Sequence, residues 1–352
     1  MNVLITGIAG FVGSRLALGL ADRHPDWQIT GIDNLSRRGS EINLPLLRSR
    51  GVRFIHGDVR NREDVDELPK ADWLIDCAAN PSVLAGIDGG ASQVVQHNLV
   101  GTLHLLEKCR RDTCGFLMLS TSRVYSIETL AGISIQPRVD RFEPDPNGTF
   151  PSGFSGLGVA ENFPTSAPVS LYGATKLASE VMALEYGYTF DFPVWINRCG
   201  VLAGAGQFGK IDQGIFSYWI YQWMLGRPLS YIGFGGEGLQ VRDLFGPEDL
   251  LDLLLKQMAD PARDAPRVLN VGGGLESSLS LKQLSQYCEQ RFGPKEVSSQ
   301  PETRAFDIPY YVTDISRVTN AWNWHPQQNA TDLLDEIATW SQSNRIVIEA
   351  GF

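Results

Sequence analysis

The stretch Asn2-Val3-Leu4-Ile5-Thr6-Gly7-Ile8-Ala9-Gly10-Phe11-Val12-Gly13 reads as a buried strand, a tight turn and the start of a helix that continues to about Leu20. Gly at positions 7, 10 and 13 permits a sharp bend and a close backbone approach. The helix N-terminus adds unpaired N–H groups and positive partial charge, so the three parts together make a cradle for a pyrophosphate. The spacing is GxxGxxG, with the second Gly one residue later than in GxGxxG. A second strand, Trp27-Gln28-Ile29-Thr30-Gly31-Ile32, closes on Asp33-Asn34. A carboxylate there accepts hydrogen bonds from adenosine ribose hydroxyls and repels a 2′-phosphate, which favours NAD over NADP. Arg37 and Arg38 pull the other way, as partners for such a phosphate. Asp58, after an apolar run at 52–55, is in reach of an adenine edge.

Outward from this unit, apolar runs at 73–76, 116–119 and 192–197 alternate with helical patterns, the longest over roughly 92–111. Strands alternating with helices imply right-handed crossovers and a parallel sheet covered on both faces. The expected class is α/β: a Rossmann-type doubly wound parallel sheet over residues 1–200. Residues 201–352 are expected to form mainly a smaller, discontinuous substrate-binding lobe, with some segments returning to the first part. That lobe shows helical patterns near 216–225, 248–258 and 281–291, and short strands near Ile232, Val241 and Val268. From about 126 to 170 Gly, Pro, Ser and Asp dominate, and the expectation is a long irregular insert, either a functional cover or a partly disordered segment.

The 352 residues carry 43% hydrophobic and 20% charged side chains, an ordinary soluble globular composition. A net charge of −10 with no Lys/Arg run argues against nucleic-acid binding. Five scattered cysteines without CxxC spacing suit a reducing cytoplasm, and the five dispersed histidines show no metal-ligand spacing. Met1 leads straight into a strand, so no signal peptide is expected, and no apolar run is long enough to span a bilayer. The aromatic residues Phe216, Tyr218, Trp219, Tyr221 and Trp223 read as lobe core.

In Ser170-Leu171-Tyr172-Gly173-Ala174-Thr175-Lys176 a phenol and an ammonium lie one helical turn apart on one face. A nearby cation stabilises phenolate, so Tyr172 is expected to exchange a proton with an alcohol near neutral pH. A hydroxyl sharing the same substrate oxygen completes the device, and Thr121 in Leu119-Ser120-Thr121-Ser122-Arg123 is the candidate.

Gly7-x-x-Gly10-x-x-Gly13, Asp33, Asn98 in Asn98-Leu99-Val100-Gly101-Thr102, Thr121 and Tyr172-x-x-x-Lys176 together resemble the extended short-chain dehydrogenase/reductases over nearly the whole chain. The resemblance implies tightly held NAD, a nucleotide-diphosphate sugar substrate and a homodimer built on the helix at 92–111 and the Tyr172 helix. Carried over, the cofactor-binding set is Gly7, Gly10, Phe11, Val12, Gly13, Asp33, Asn34, Asp58, Val59, Ala78, Ala79, Asn98, Tyr172 and Lys176. Asn98 implies support of the active-site helix. The second half is similar to the 2-epimerases of this family that act on CDP-sugars. The matching residues are Gly206-Gln207-Phe208, Asp212-Gln213-Gly214, Gly238-x-Gln240-Val241-Arg242-Asp243, Asn270-Val271-Gly272-Gly273, Arg304, Asp307 and Asp314. This implies substrate contacts from Ser122, Arg123, Asn197, Gln207, Gln213, Arg242 and Arg304, with Arg242 and Arg304 gripping the diphosphate through guanidinium forks. The bland counterpart for Arg242 is an ion pair with its neighbour Asp243.

The sequence departs from the family in three places. Asp76-Cys77-Ala78-Ala79-Asn80 stands where a His-x-Ala-Gly-Gln run is usual, Ser122-Arg123 where Asn-Lys often follows Thr in 2-epimerases, and the insert at 126–170 is long. The 4,6-dehydratases carry Asp-Glu after the Thr, and the UDP-glucuronate decarboxylases carry Glu in place of Arg123. Epimerisation by hydride removal and return needs neither carboxylate. The leading expectation is therefore an NAD-dependent epimerase acting at C2 of a CDP-sugar. The alternatives are a UDP-hexose 4-epimerase, an oxidoreductase that releases NADH, and a non-catalytic NAD-binding protein.

Overall fold

In the computed structural model, residues 1–87, 89–210 and 213–351 are described; Asp212, quoted above, lies outside them. Among these, seven strands form one parallel sheet. They are β1 (Asn2–Thr6), β2 (Gln28–Asp33), β3 (Arg53–His56), β4 (Trp73–Asp76), β5 (Gly115–Thr121), β6 (Val194–Cys199) and β7 (Val268–Val271). Their order is β7-β6-β5-β4-β1-β2-β3. The order reverses at β1, and a doubly wound sheet opens its ligand crevice at the carboxyl ends of the strands beside such a reversal. Every residue of β4 and β6 is buried, and every residue of β1 except Asn2. Burial on both faces is why these strands read as unbroken apolar runs.

Helices α1 (Phe11–Arg23), α2 (Gly101–Asp112), α3 (Ser170–Phe190) and α4 (Pro247–Ala259) supply the cover. Leu16 and Leu20 of α1 and Leu250, Leu251 and Leu254 of α4 share one core with Ile5, Ile75 and Trp195 of the sheet. Gly19 lets α1 and α4 cross closely, because a Cβ there would stand 2.4 Å from the Leu251 side chain. Pro247 at the first turn and the acidic pair Glu248 and Asp249 favour the start of α4 where it forms. On the opposite face Leu105 and Leu106 of α2 and Ala183 of α3 pack on Leu74, Phe116 and Ile196.

A smaller sheet is organised around Val241–Phe245. It pairs parallel to Val201–Leu202 and Tyr310–Tyr311, and antiparallel to Ser278–Ser280. Phe216, Trp219, Tyr221 and Trp223 of the helix Ile215–Met224 are buried against helices Leu281–Phe292 and Ala330–Ser343, so these aromatics are core.

The segment 126–170 is not the irregular cover that its composition suggests. It holds the helix Ile127–Ala131 and two small antiparallel hairpins, Ile135–Pro137 with Phe142–Pro144 and Phe154–Ser155 with Gly158–Val159. Leu130, Ile133, Phe154, Val159 and Phe163 form a core with Tyr310, Tyr311 and Val312. The Phe142 N–H donates to the Leu239 carbonyl (2.8 Å) and the Val159 N–H to the Val312 carbonyl (2.8 Å), so the segment is pinned to distant chain. No helix among the described residues is long and apolar enough to cross a membrane, and no three His, Cys, Asp or Glu side chains gather as a metal site.

Candidate active site

The turn after β1 is a backbone cradle. Gly7 sits at φ +62°, and a Cβ on Gly13 would stand 2.3 Å from the Gly7 carbonyl oxygen, so α1 can begin here only with glycine at 13. Gly10 caps α1 without any side chain on its first N–H groups. Asp33, at the end of β2, accepts from the Ala9 N–H (3.1 Å) and the Leu35 N–H (2.8 Å), and burial raises its pKa. Phe11, Val12 and Gly13 form the opening turn of α1. These features fit a dinucleotide: open helix N–H groups for the pyrophosphate and an acidic strand end for the ribose.

Asn34 donates to Asp58 (2.8 Å), which Arg60 holds from the other side, keeping the Asp58 carboxyl well below the usual range. Arg37 does not stand ready for a 2′-phosphate. It donates to the Gln213 side-chain oxygen (2.8 Å) and the Phe208 carbonyl (2.8 Å). Arg38 donates to the Ala350 carbonyl. Val59 packs on Gly101, where a Cβ would meet its side chain at 2.9 Å. Thr6 shapes the loop after β4: its hydroxyl donates to Asp76 (2.7 Å) and accepts from the N–H groups of Cys77 (3.1 Å) and Ala78 (3.0 Å), with Ala79 next in line.

Asn98 is buried in a π-helical turn, Gln96–Val100, that interrupts the helical run from Ala91 into α2. Such turns widen a helix and often mark functional positions. The Asn98 amide donates to the Thr175 hydroxyl of α3 (3.1 Å) and the Asn80 carbonyl (3.1 Å), and its oxygen accepts from the Asn80 N–H (2.7 Å). Its own carbonyl accepts from Thr102 (2.8 Å) and from Ser179 of α3 (2.9 Å). One residue thus fixes α3 relative to the loop after β4.

Tyr172 and Lys176 are both buried on α3. Burial pushes the Tyr172 phenol up to about 12, against the pull of a hydrogen bond with Thr121 and the Arg123 cation. The Lys176 charge is felt by the thiols of Cys77 and Cys199, and the cation felt by the phenol is Arg123. Arg123 belongs to a short turn, Ser122–Val124, capped by Thr121, whose hydroxyl accepts from the Arg123 N–H (3.1 Å). A Cβ on Gly173 would stand 2.2 Å from the Arg123 carbonyl, so glycine beside Tyr172 lets this turn press against α3.

A cleft of about 880 Å³, open solvent included, runs from Arg123 between the two parts of the molecule. Arg123, Gln213, Arg242 and Arg304 line it, with Asp307 the only carboxylate among the described lining residues. Three guanidiniums against one carboxylate make a locally positive wall in an acidic chain, as an anionic ligand requires. Arg242 bonds Asp307 (3.3 Å) and the Ile308 carbonyl (2.6 Å), while Arg304 lies 3.6 Å from Asp307. Arg242 is therefore not paired with its sequence neighbour. Asp243 points away, fully buried, and accepts from the N–H groups of Gly273 (2.9 Å) and Gly274 (3.3 Å); burial raises its pKa to about 6.

Two residues assigned to the substrate are turned elsewhere. Asn197 exchanges two hydrogen bonds with Gln257 of α4 (3.0 and 2.9 Å), and Gln207 braces its own loop through the Leu202 carbonyl (2.9 Å) and Ser217 (2.9 Å). Ser122 begins the Arg123 turn and does not line the cleft.

Sequence reasoning missed a buried network behind the site. Glu180 of α3 forms a two-pronged pair with Arg198 of β6 (3.0 and 2.7 Å) and accepts from Ser120. Arg198 also donates to the Tyr125 hydroxyl (3.3 Å), which donates to Asn270 at the end of β7 (2.6 Å). An arginine inside Val-Trp-Ile-Asn-Arg-Cys, a strand otherwise rich in apolar residues, was the available signal, since a buried charge demands a partner.

Residues 3–272 match the model of the NAD dependent epimerase/dehydratase family. CDP-paratose 2-epimerase of Salmonella typhi is 30% identical, over 97% of this chain and 100% of its own length. UDP-glucuronate 4-epimerase of Thermodesulfobacterium geofontis is 24% identical, over 99% and 98%. Among solved structures, a point mutant of UDP-glucuronic acid 4-epimerase from Bacillus cereus, in complex with UDP-4-deoxy-4-fluoro-glucuronic acid and NAD, superposes with a TM-score of 0.79. It is 24% identical and covers 97% of this chain and 99% of that one.

Proposed function

The chain belongs to the NAD dependent epimerase/dehydratase family, whose members use NAD, and from that premise we propose that it is an epimerase acting at C2 of a CDP-sugar. The observation that carries this reading is the sequence Thr121-Ser122-Arg123 beside Tyr172. The turn that would hold the acid and base of a dehydration holds a hydroxyl and a guanidinium instead. The likeness to CDP-paratose 2-epimerase over both full lengths points to the nucleotide and the carbon.

In this reading residues 1–200 chiefly hold the cofactor, and most of 201–352 holds the nucleotide sugar. Bound NAD supplies a hydride acceptor and donor. Tyr172 takes the proton of the reacting hydroxyl and returns it, and Thr121 orients that oxygen. Arg242 and Arg304 hold the diphosphate, so the sugar can turn while its anchor stays fixed. Cys199, buried and pushed up to about 12, stays a neutral thiol lining the end of β6. The protein acts in the cytoplasm as a homodimer. Leu171, Val181 and Tyr188 leave an exposed apolar stripe along α3 suited to a second copy.

The test is a CDP-hexose deuterated at C2, turned over in ordinary water. Hydride transfer keeps the label in the epimerised product, whereas deprotonation beside a carbonyl exchanges it with solvent. Turnover confined to a UDP-hexose inverted at C4 replaces the substrate assignment and leaves the mechanism standing. Loss of label overturns the mechanism.

A further inference from the structure

Arg37 lies four residues beyond Asp33, in the loop that leaves β2 at the ribose end of the dinucleotide site, yet its guanidinium reaches into the second part of the molecule. It donates to the Phe208 carbonyl (2.8 Å) and to the Gln213 side-chain oxygen (2.8 Å). The Phe208 ring packs on the same loop, 3.0 Å from where a Cβ on Gly39 would stand. That loop is also tied at its far end, where the Asn43 amide donates to the Ala9 carbonyl in the glycine turn (2.8 Å).

Further contacts carry the junction back along the cofactor cradle. Arg15, one turn into α1, donates to the Ala205 carbonyl (2.6 Å). A Cβ on Gly206 would stand 3.3 Å from the same guanidinium. A Cβ on Gly204 would stand 3.2 Å from the ring of Phe11, the first residue of α1. Gly204-Ala205-Gly206 carries almost no side chain, so its backbone can lie close against α1. Residues 204–208 thus run from the helix N-terminus suited to the pyrophosphate to the loop beside the ribose carboxylate.

We propose that residues 204–208 are a strap across the adenosine half of bound NAD, and that Arg37 is its latch. The strap belongs to the second part of the chain, so release of the dinucleotide requires the two parts to separate locally at Arg37. A guanidinium shared between two acceptors makes such a closure directional as well as strong. Epimerisation by hydride removal and return regenerates NAD in every cycle, and a retained cofactor suits that chemistry. Arg37 is in this way a positioning residue, acting on the cofactor through the strap. The inference goes beyond the sugar assignment and holds for whichever nucleotide sugar enters the cleft.

The test is the rate at which radiolabelled NAD leaves the loaded protein into an excess of unlabelled NAD, read by rapid gel filtration. Arg37→Ala is expected to speed release at least about tenfold, as follows from removing a hydrogen bond made by a charged group. Arg37 is half-buried in a surface loop, so the variant is expected to fold with the circular dichroism of the wild type. Phe208→Ala and Gln213→Ala lie on the strap side, and neither residue is in the cofactor-binding set. Both are expected to speed release by a smaller factor. Adding Gln213→Ala to Arg37→Ala is expected to change nothing more, because the two residues share one bond. Release at the wild-type rate from Arg37→Ala overturns the latch. Faster release from Arg37→Ala alone, with Phe208→Ala and Gln213→Ala both at the wild-type rate, means that Arg37 grips NAD itself and overturns the strap.

Discussion

Replacing Arg198 with Met tests whether the network behind Tyr172 supports the fold. Arg198 and Glu180 are 9% and 3% exposed, and the guanidinium holds the carboxylate by two prongs. Met keeps most of the stem's volume but leaves Glu180 buried with only Ser120 beside it, and it strips the Tyr125 hydroxyl of a donor. Removing one partner of a buried pair costs about 3–5 kcal/mol, a large part of the 5–15 kcal/mol that holds a typical fold. For a chain of this size the thermal midpoint should fall on the order of 10 °C. Circular dichroism on the wild type, Arg198→Met, Glu180→Leu and the double variant provides a double-mutant cycle. The double variant should be more stable than Arg198→Met, because it removes the stranded charge along with its partner. A loss under about 1 kcal/mol in Arg198→Met, or a double variant no better than the single, would refute the reasoning.

Three further outcomes are expected. Tyr172→Phe should retain NAD while turnover drops by roughly 10²–10⁴-fold, and turnover within a few-fold of wild type would remove Tyr172 from the proton-transfer role. Light scattering at micromolar concentration should give twice the chain mass, and Val181→Asp on the exposed face of α3 should give the monomer; a wild-type monomer contradicts the homodimer. Asp243, raised to about 6 in the folded protein, keeps a proton there that the unfolded chain releases near pH 4. Its contribution therefore makes the fold less stable as pH rises from about 4 to 6, by up to ~3 kcal/mol, and is level above that window. Thermal midpoints of Asp243→Asn, compared with wild type at pH 4.5 and 6.5, should lack that slope; an identical slope in the two proteins counts against the assignment.

The parts legible in the sequence were those with a local signature. β1, the glycine turn and α1 are contiguous, and the apolar runs of β4 and β5 report burial on both faces wherever they occur. Tyr172 and Lys176 were visible through helical spacing. The illegible parts depend on partners far along the chain. Asn197 looked like a polar residue facing a ligand, and its partner Gln257 is 60 residues on. The hairpins of the insert have strands of two or three residues, too short for an alternating pattern, and are held by Leu239 and Val312.

The position of β7 bears on how the polypeptide acquires its shape during synthesis. This edge strand of the large sheet lies at Val268–Val271, after much of the nucleotide-facing sheet has been made. When β6 has emerged, its outer row of amide groups has no neighbour, and Tyr125 and Glu161 still lack Asn270. An open strand edge is a template for association with other chains. Six strands are thus a sticky unfinished object until about 70 more residues arrive, the spacing between Arg198 and its register partner Asn270. The two parts of the molecule are consequently completed together, and a gene cut at Gly200 would encode two dependent fragments in place of two modules.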